Sequence, residues 1–411
     1  MNDKVPRRVL IVSPDAFLPR YNMFPDFVIG KKLADEGTLQ VFFATRKTAG
    51  TRMFGSYEGV RTYRLPGLFY RNNRLWSLCR SFFAALLLLL LVRPDLLFVN
   101  HFRSGCFPLV FLARLFGCRT VQSEAGILHD DYITDDRDNP LRAPVKVDNI
   151  IWRLGAVGGG RGAKKRLFNY FRHWPWYHVD RLVFYSRHNL DYARLIGLDE
   201  RKIKTVRHFF NARYLERSTA AIEQYRLPGK KVVFLICQLK LRKGYDLFLE
   251  AAKRVAGSRE DVVFILASSS PDKARREAIR EFVEVNNLDG KLLFLTSISN
   301  EVRNYLYERA DVYLMPSRYE GFGLPAIEAG HSGCVVVASD VPALNEFLED
   351  GTNALLFAVD DLDDLYRQVL AALDLNDDEK AKLAAGMARS SEWFDIGRLE
   401  NFTREFLELV Q

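Results

Sequence analysis

Two glutamates in a glycine-containing segment are the residues best suited to bind a polar substrate. Glu320 and Glu328 are separated by seven residues, and Gly321 and Gly323 lie between them. The apolar run 311–315 predicts a strand before this segment and a helix after it, so a ligand can approach the glycine backbone and the first helical amides can face a phosphate. A carboxylate accepts hydrogen bonds from two hydroxyls, so one glutamate could hold a sugar and the other a ribose diol. The alternative is that each glutamate is an ordinary solvated residue on a helix face.

The whole segment resembles the signature of the retaining GT-B glycosyltransferases of family 4. Their two glutamates occur in a pattern such as S-x-x-E-G-F-G-L-P-x-x-E-A, which residues 317–329 reproduce. The resemblance covers most of the second half of the chain and only loosely the first half. It implies that Glu320 contacts the donor sugar and that Glu328 contacts the ribose. The loop residues implied in donor binding are Gly321, Phe322, Gly323 and Leu324.

A second part of the resemblance concerns the leaving diphosphate. The family has G-R-L-x-x-x-K-G after the first strand of its second domain, and this chain has C-Q-L-K-L-R-K-G at residues 237–244. Lys243 matches the expected diphosphate-binding lysine, and the resemblance implies no metal and no cofactor because basic side chains neutralise the phosphates. Gln238 replaces the expected arginine and supplies no charge, which would weaken leaving-group stabilisation unless Lys240 or Arg242 compensates.

Other regions of the resemblance are less informative. Ser297 and Ile298 stand where the family reads the nucleobase, largely through backbone groups, so the donor is predicted only as a UDP-, GDP- or ADP-sugar. On the acceptor side, the glycine pair and the histidine that are typical of the family are absent. The residues at or near those places, and therefore predicted on the acceptor side, are Arg20, Tyr21, Glu124 and His129.

Strands and helices alternate along the chain, which is typical of doubly wound α/β domains. The predicted strands are 9–13, 39–45, 60–65, 95–100, 119–123 and 181–186 in the first half and 232–236, 262–266, 291–295, 311–315 and 334–338 in the second. The turn signal Pro228-Gly229 directly precedes a new strand and marks a domain boundary. With the resemblance, this predicts an α/β GT-B protein with two Rossmann-like domains that face each other across a cleft. The predicted units are an acceptor domain at 1–220, a donor domain at 221–394, and a C-terminal helix at 395–411 that packs back on the first domain.

The composition agrees with a folded two-domain protein. The chain has 411 residues, 48% hydrophobic and 27% charged, as in ordinary globular proteins. Its five cysteines are scattered, which argues for a reducing compartment and against disulfides or a zinc site. The polar N-terminus does not resemble a signal peptide. The longest apolar run, 82–92, is shorter than the roughly 20 residues that a spanning helix needs, so we predict a buried helix there, with a helix that partly faces lipid as the alternative.

The net charge of +8 is unevenly distributed. Residues 1–225 contain 36 Lys and Arg against 20 Asp and Glu, a net charge of +16, and the rest of the chain carries −8. Basic and aromatic residues interleave at 152–177. Trp and Tyr are favoured in the lipid headgroup zone, and Lys and Arg are attracted to an anionic leaflet, so this stretch could contact a membrane. The alternative is a packed helix with a solvated basic face, and no recognition motif supports nucleic-acid binding. We predict a cytoplasmic protein that contacts the inner face of the cell membrane.

The sequence therefore predicts a retaining hexosyltransferase with Glu320 and Lys243 as its catalytic residues. The donor would be a nucleotide diphosphate sugar. The acceptor would be a glycan or a lipid-linked precursor in cell-envelope polysaccharide or glycolipid synthesis. Two alternatives stay open: a nucleotide-sugar epimerase of the same fold, and a non-catalytic nucleotide-sugar-binding protein, which Gln238 would suit.

Overall fold

The computed structural model divides the chain into two compact units. The first is built mainly from residues before 208 and the second from residues 209–396. The residues that the structure describes are 8–13, 25–37, 39–69, 75–100, 106–124, 170–171, 174–195, 197–206, 215, 225, 227–268, 273–392 and 404. The predicted domain boundary at 220/221 falls where only Leu215 and Tyr225 are described, so its place stays a prediction.

An eight-stranded sheet forms the centre of the first unit. Its strands are β1 (Arg8–Val12), β2 (Gln40–Arg46), β3 (Phe54–Tyr57), β4 (Val60–Leu65), β5 (Leu96–Asn100), β6 (Arg119–Glu124), β7 (Arg181–Phe184) and β8 (Ile203–Thr205). Their spatial order is β3-β4-β2-β1-β5-β6-β7-β8. All neighbouring pairs are parallel except β3 and β4. Strand β5 is buried along its whole length, as expected of a parallel sheet covered on both faces.

The helices of the first unit include α1 (Pro25–Asp35), α2 (Leu75–Val92), α3 (Phe107–Leu115) and α4 (His188–Leu195). Helix α2 contains the apolar run 82–92 and is buried on one side only, so the prediction of a buried helix is right for seven of its 18 residues. It begins seven residues earlier than that run, because residues 75–81 continue the helix with a single charge. With 18 residues it is long and apolar enough to cross a membrane by length and composition alone. The prediction that this segment is too short to do so is therefore wrong.

The second unit contains a six-stranded parallel sheet in the order β11-β10-β9-β12-β13-β14. Its strands are β9 (Lys231–Ile236), β10 (Val262–Ser268), β11 (Leu292–Thr296), β12 (Val312–Met315), β13 (Val335–Ser339) and β14 (Leu355–Phe357). Its helices are α5 (Tyr245–Ala256), α6 (Lys273–Val285), α7 (Asn300–Arg309), α8 (Leu324–His331), α9 (Leu362–Asp374) and α10 (Asp377–Glu392).

The strand order of this second sheet is that of a nucleotide-binding Rossmann fold, 3-2-1-4-5-6 in order of appearance. The order reverses between β9 and β12, which are paired neighbours. Ligands of such folds bind beyond the carboxyl ends of the strands at this reversal. The segments that follow β9 and β12 carry Lys243 and Glu320, so the topology brings the two predicted catalytic residues to one place.

Every strand predicted from an apolar run is present, with each end within two residues of its predicted place. Three further strands, β3, β8 and β14, were not predicted. They are three or four residues long and have few buried positions, so they leave no continuous apolar run in the sequence. The predicted C-terminal helix at 395–411 lies outside the described residues except for Arg404.

Candidate active site

Lys243 and Glu320 form an ion pair at the strand-order reversal, in which the glutamate is buried and the lysine side chain is 19% exposed. Nζ of Lys243 lies 2.6 Å from Oε1 and 2.7 Å from Oε2 of Glu320. The hydroxyl of Ser317 donates a 2.7 Å hydrogen bond to Oε1. Glu320 is 4% exposed and Ser317 1% exposed, so two donors hold the carboxylate where little water competes and electrostatic interactions are strong. The two predicted catalytic residues are thus in direct contact.

Lys243 ends the 3₁₀ turn Leu241–Lys243, which is fixed against the loop that follows β12. Arg318 of that loop is buried, and its Nη1 donates a 2.6 Å hydrogen bond to the carbonyl oxygen of Leu241. Its two Nη atoms also pair with both carboxylate oxygens of Asp246, at 2.8 and 2.7 Å, and its Nε donates to Asp360 at 2.6 Å. One buried side chain therefore ties the lysine turn to the glutamate loop. Sequence analysis missed Arg318 because its partners are 42 to 77 residues away.

Gly244 lets this turn approach the loop closely. Its backbone is left-handed, with φ of +66°, and a Cβ added to it would lie 1.7 Å from the carbonyl oxygen of Pro316. That oxygen belongs to the backbone and cannot move aside without displacing the loop. The lysine turn and the glutamate loop therefore fit together only if residue 244 is glycine.

We expect Gly244→Ala to destabilise the protein clearly more than Gly290→Ala. Gly290 has a similar φ of +74° but no atom within 4 Å of an added Cβ, so it isolates the left-handed backbone penalty of about 1–2 kcal/mol. The additional loss at Gly244 would report the collision with Pro316. Thermal unfolding of both variants measures the difference, and equal losses would show that the contact between turn and loop does not matter.

The glycine-containing loop leads directly into α8. Gly323 has φ of +106°, and a Cβ added to it would lie 2.3 Å from a leucine side chain, so this position requires glycine. The ring of Phe322 is buried against Phe347, with centroids 5.3 Å apart. Its ring is therefore a packing group, and only its backbone is left to contact a donor. Gly321 is buried, and Leu324, the first residue of α8, packs against the core.

Glu328 lies on α8 and is buried beside Tyr307 of α7. The hydroxyl of Tyr307 donates a 3.1 Å hydrogen bond to Oε2 of Glu328. Burial raises the pKa of Glu328, although Arg303 and the hydrogen bond from Tyr307 act in the opposite direction. A carboxylate that holds one hydroxyl has capacity left for the hydroxyls of a ligand, which fits the ribose role implied by the resemblance. Sequence analysis missed Tyr307 because no local pattern places α7 against α8.

We expect Glu328→Gln to raise the melting temperature at neutral and alkaline pH. The folded protein holds the Glu328 proton more tightly than the unfolded chain, so this carboxyl stabilises the fold fully below its ordinary pKa of about 4.5 and loses that contribution as the pH rises through the folded value. Glutamine mimics the protonated form at every pH. The difference in melting temperature between the variant and the native protein should vanish at pH values below the ordinary pKa. Glu308→Gln is the control, because it is an exposed change on α7, and it should not raise the melting temperature at any pH. A variant that is less stable than the native protein at alkaline pH would contradict this account.

The other predicted donor-binding residues follow two strands of the same sheet, β9 and β11, which are separated by β10. Gln238 lies two residues after β9, and its side chain is exposed. Ser297 follows β11 with a left-handed φ of +55°, and its N–H donates a 3.0 Å hydrogen bond to the carbonyl of Ser268 at the end of β10. Ile298 packs against the core of this unit. These positions are at the carboxyl edge of the sheet, and their role toward a nucleobase stays a prediction.

The predicted acceptor residues fall mostly outside the described part of the chain. Arg20, Tyr21 and His129 lie outside the described residues. Glu124 is the last residue of β6 and therefore at the carboxyl edge of the first sheet. The acceptor role of all four residues stays a prediction.

The basic and aromatic stretch 152–177 is described only at 170–171 and 174–177. Trp176 is 2% exposed and belongs to the core of the first unit. The ring of Trp174 stacks on His178, with centroids 3.9 Å apart, and packs edge-on against Phe107. The prediction that Trp176 reaches lipid headgroups is therefore wrong, because the fold uses it as a core residue. Trp174 is partly buried by the same packing, and the membrane role of the rest of the stretch lies outside the described residues and stays a prediction.

All five cysteines are free, and Cys106, Cys118 and Cys334 are buried. Within the described ranges, no group of three or more His, Cys, Asp or Glu side chains is placed to hold a metal ion. The absence of a cofactor stays a prediction.

Both halves of the chain match known families of one class. Residues 230–375 match the family described as glycosyl transferases group 1, and residues 29–207 match the glycosyl transferase 4-like domain. The chain therefore belongs to the group 1 glycosyl transferases. Its two Rossmann-like domains are those of the GT-B fold, as predicted.

Two curated relatives are mannosyltransferases. The chain is 32% identical over 173 residues to the lipopolysaccharide core biosynthesis mannosyltransferase LpsB of Rhizobium meliloti, which is 41% of this chain and 49% of that protein. It is 32% identical over 174 residues to the phosphatidyl-myo-inositol mannosyltransferase of Mycolicibacterium smegmatis, 42% of each chain. The chain thus matches about half or less of the length of these relatives.

Solved structures support the fold along nearly the whole chain. Sucrose-phosphate synthase from Thermosynechococcus elongatus has a TM-score of 0.75 at 19% identity and covers 98% of this chain and 99% of its own. Anabaena HepE, solved in complex with UDP and glucose, has a TM-score of 0.72 at 14% identity with the same coverage. At these identities the likeness establishes the fold alone.

Proposed function

We propose that this chain transfers a hexose from a nucleotide diphosphate sugar to a glycan or lipid-linked acceptor, with retention of anomeric configuration and without a metal ion. The observation that carries the proposal is the ion pair between Lys243 and the buried Glu320 at the strand-order reversal. The names of the mannosyltransferase relatives support a place in cell-envelope polysaccharide or glycolipid synthesis. The complex of HepE with UDP supports a nucleotide sugar as the donor.

In this proposal Lys243 and Glu320 act on different parts of the donor. An ammonium donates three hydrogen bonds, so Lys243 can hold a phosphate oxygen while it stays paired with Glu320. Its charge stabilises the diphosphate as it leaves, and Glu320 accepts hydrogen bonds from sugar hydroxyls. Glu328 holds the ribose.

The proposed reaction needs no separate general base. The bond between the anomeric carbon and the diphosphate oxygen breaks, and its electron pair leaves with the phosphate. The acceptor oxygen forms the new bond on the same face of the sugar. The acceptor proton passes to the leaving phosphate oxygen, so the products are the glycosylated acceptor and the nucleoside diphosphate.

We place the protein in the cytoplasm, at the inner face of the cell membrane. The free thiols support a reducing compartment. A lipid-linked acceptor would bring the enzyme to the membrane surface. The family match favours transfer over the two alternatives, an epimerase and a non-catalytic nucleotide-sugar-binding protein.

Calorimetry with UDP, GDP and ADP, followed by NMR of the product, tests this proposal. One of the three nucleotides should bind to the native protein, and the product should keep the anomeric configuration of the donor. Failure of all three to bind would contradict the donor site. Inversion at the anomeric carbon would contradict the mechanism while leaving the donor site intact.

A further inference from the structure

Helix α2 has an apolar side that the described residues do not cover. Its outward residues Trp76, Phe83, Leu87, Leu90 and Leu91 are all exposed, Phe83 by 74% and Trp76 by 71%. Their spacing of i, i+7, i+11, i+14 and i+15 places them on one side of the helix. We call this surface the exposed α2 face. A side of five large apolar residues is unusual on a soluble surface and indicates a binding surface.

The end of helix α3 extends this surface. Phe82 of α2 packs edge-on against Phe107 of α3, with ring centroids 5.9 Å apart. The two helices precede β5 and β6, which are parallel neighbours, so both helices end at the same edge of the sheet. Leu115 and Phe116, at the end of α3, are also exposed. They therefore add apolar area beside the final turn of α2.

The opposite side of α2 fixes how the helix can meet a membrane. Seven of its residues are buried, and Ala85 and Leu88 are fully covered within the core of the first unit. A spanning orientation would strip these side chains from the core. The helix can instead lie flat in the interface, with its buried side on the protein and its exposed side toward lipid.

Two exposed arginines of α2 and its end, together with the basic sequence around the helix, identify the partner of the exposed α2 face. Residues 59–123 contain nine arginines, no lysine and a single acidic residue, Asp95. One carboxylate oxygen of Asp95 accepts a 2.9 Å hydrogen bond from the backbone N–H of Arg8. Arg80, in the second turn of α2, and Arg93, directly after its last residue, are exposed. An apolar strip flanked by arginines complements the headgroups and acyl chains of an anionic leaflet.

A second copy of the chain fits this surface less well. A two-fold dimer places the same patch on both partners, so an isologous contact through the exposed α2 face would bring the exposed arginines Arg80 and Arg93 of both copies into one interface. We therefore propose that the exposed α2 face docks the protein on an anionic bilayer. This assignment moves the membrane contact from Trp176, which is packed in the core, to helix α2, and it does not depend on the reaction.

Flotation of the full chain with lipid vesicles tests the assignment. The native protein should float with vesicles of phosphatidylcholine and phosphatidylglycerol and much less with phosphatidylcholine alone. The triple variant Phe83→Gln, Leu87→Gln and Leu90→Gln should partition at least about tenfold more weakly, since three apolar side chains no longer enter the interface. Val285→Gln is the matched control, because Val285 is 71% exposed on α6 of the second unit, and it should float like the native protein.

Circular dichroism and nucleoside diphosphate binding show whether the triple variant is folded. If it is not, the single variant Phe83→Gln replaces it, and its binding to anionic vesicles should be weakened by a smaller factor. Native-like flotation of a folded variant would overturn the assignment. Equal binding of the native protein to neutral vesicles would overturn the choice of an anionic surface. If the native protein binds no vesicle and sedimentation shows a dimer that the triple variant abolishes, the face belongs to a second copy and the proposal is wrong.

Discussion

Glu320→Gln is expected to lower glycosyl transfer strongly while the protein still binds the nucleoside diphosphate. Glutamine keeps the size of the side chain but replaces one of its two acceptor oxygens with a donor, so it cannot hold the sugar hydroxyls as the carboxylate does. Loss of a group that stabilises the reacting sugar lowers the rate by roughly 10²–10³-fold. Steady-state kinetics and calorimetry on one preparation separate transfer from nucleotide binding.

The structure also predicts the direction in which the affinity for the nucleoside diphosphate changes. In the native protein Lys243 donates to both oxygens of Glu320, so the neutral variant leaves more of the ammonium for a phosphate. The nucleoside diphosphate should therefore bind as tightly as before or more tightly. Glu308→Gln, an exposed change on α7, is the matched control and should transfer at the native rate. Native transfer by Glu320→Gln would contradict the assignment of this residue.

Lys243→Met is expected to lower transfer by roughly 100-fold or more and to weaken nucleoside diphosphate binding. Methionine keeps much of the apolar stem and removes the charge that would face the leaving phosphate. The change also leaves Glu320 buried without its cation, which costs about 3–5 kcal/mol of stability when one partner of a buried pair is removed. The chemical and the structural effects must therefore be measured separately.

The double variant Lys243→Met with Glu320→Gln separates these two effects. It leaves no unpaired buried charge, so its free energy of unfolding should recover most of the loss while transfer stays strongly reduced. Recovery of both stability and activity would show that the pair is only structural. If Lys243→Met keeps native nucleotide affinity and Lys240→Met loses it, then Lys240 supplies the charge and the assignment of Lys243 is wrong.

The sequence predicted those parts of the protein that depend on short-range patterns. The parallel strands are buried on both faces, so each main strand is a continuous apolar run, and β5 is the clearest example. Glu320 was found from the spacing and placement of its motif, and Lys243 from the resemblance of residues 237–244 to the family pattern, both of which are local features. Their meeting follows from the strand order, since β9 and β12 are neighbours at its reversal.

The remaining features depend on contacts between distant segments. Arg318 reaches partners on the turn after β9 and on the segment before α9, and Tyr307 meets Glu328 across two helices. The basic sequence around Trp176 is typical of a lipid interface, but tertiary packing buries this residue. The same packing decides that α2 turns one apolar side inward and leaves the other exposed. The hydrophobic pattern of the sequence cannot show which side of α2 is buried, because both sides of this helix are apolar.

Release of nucleoside diphosphate from a panel of UDP-, GDP- and ADP-sugars, with a membrane lipid extract as the acceptor source, tests the central claim most directly. The account predicts that the native protein consumes at least one donor, that a sugar appears on the acceptor, and that both are strongly reduced in Glu320→Gln. Conversion of the donor into an isomeric nucleotide sugar without release of the diphosphate would indicate an epimerase. Binding of a nucleotide sugar without any turnover would contradict the claim that this site transfers sugar.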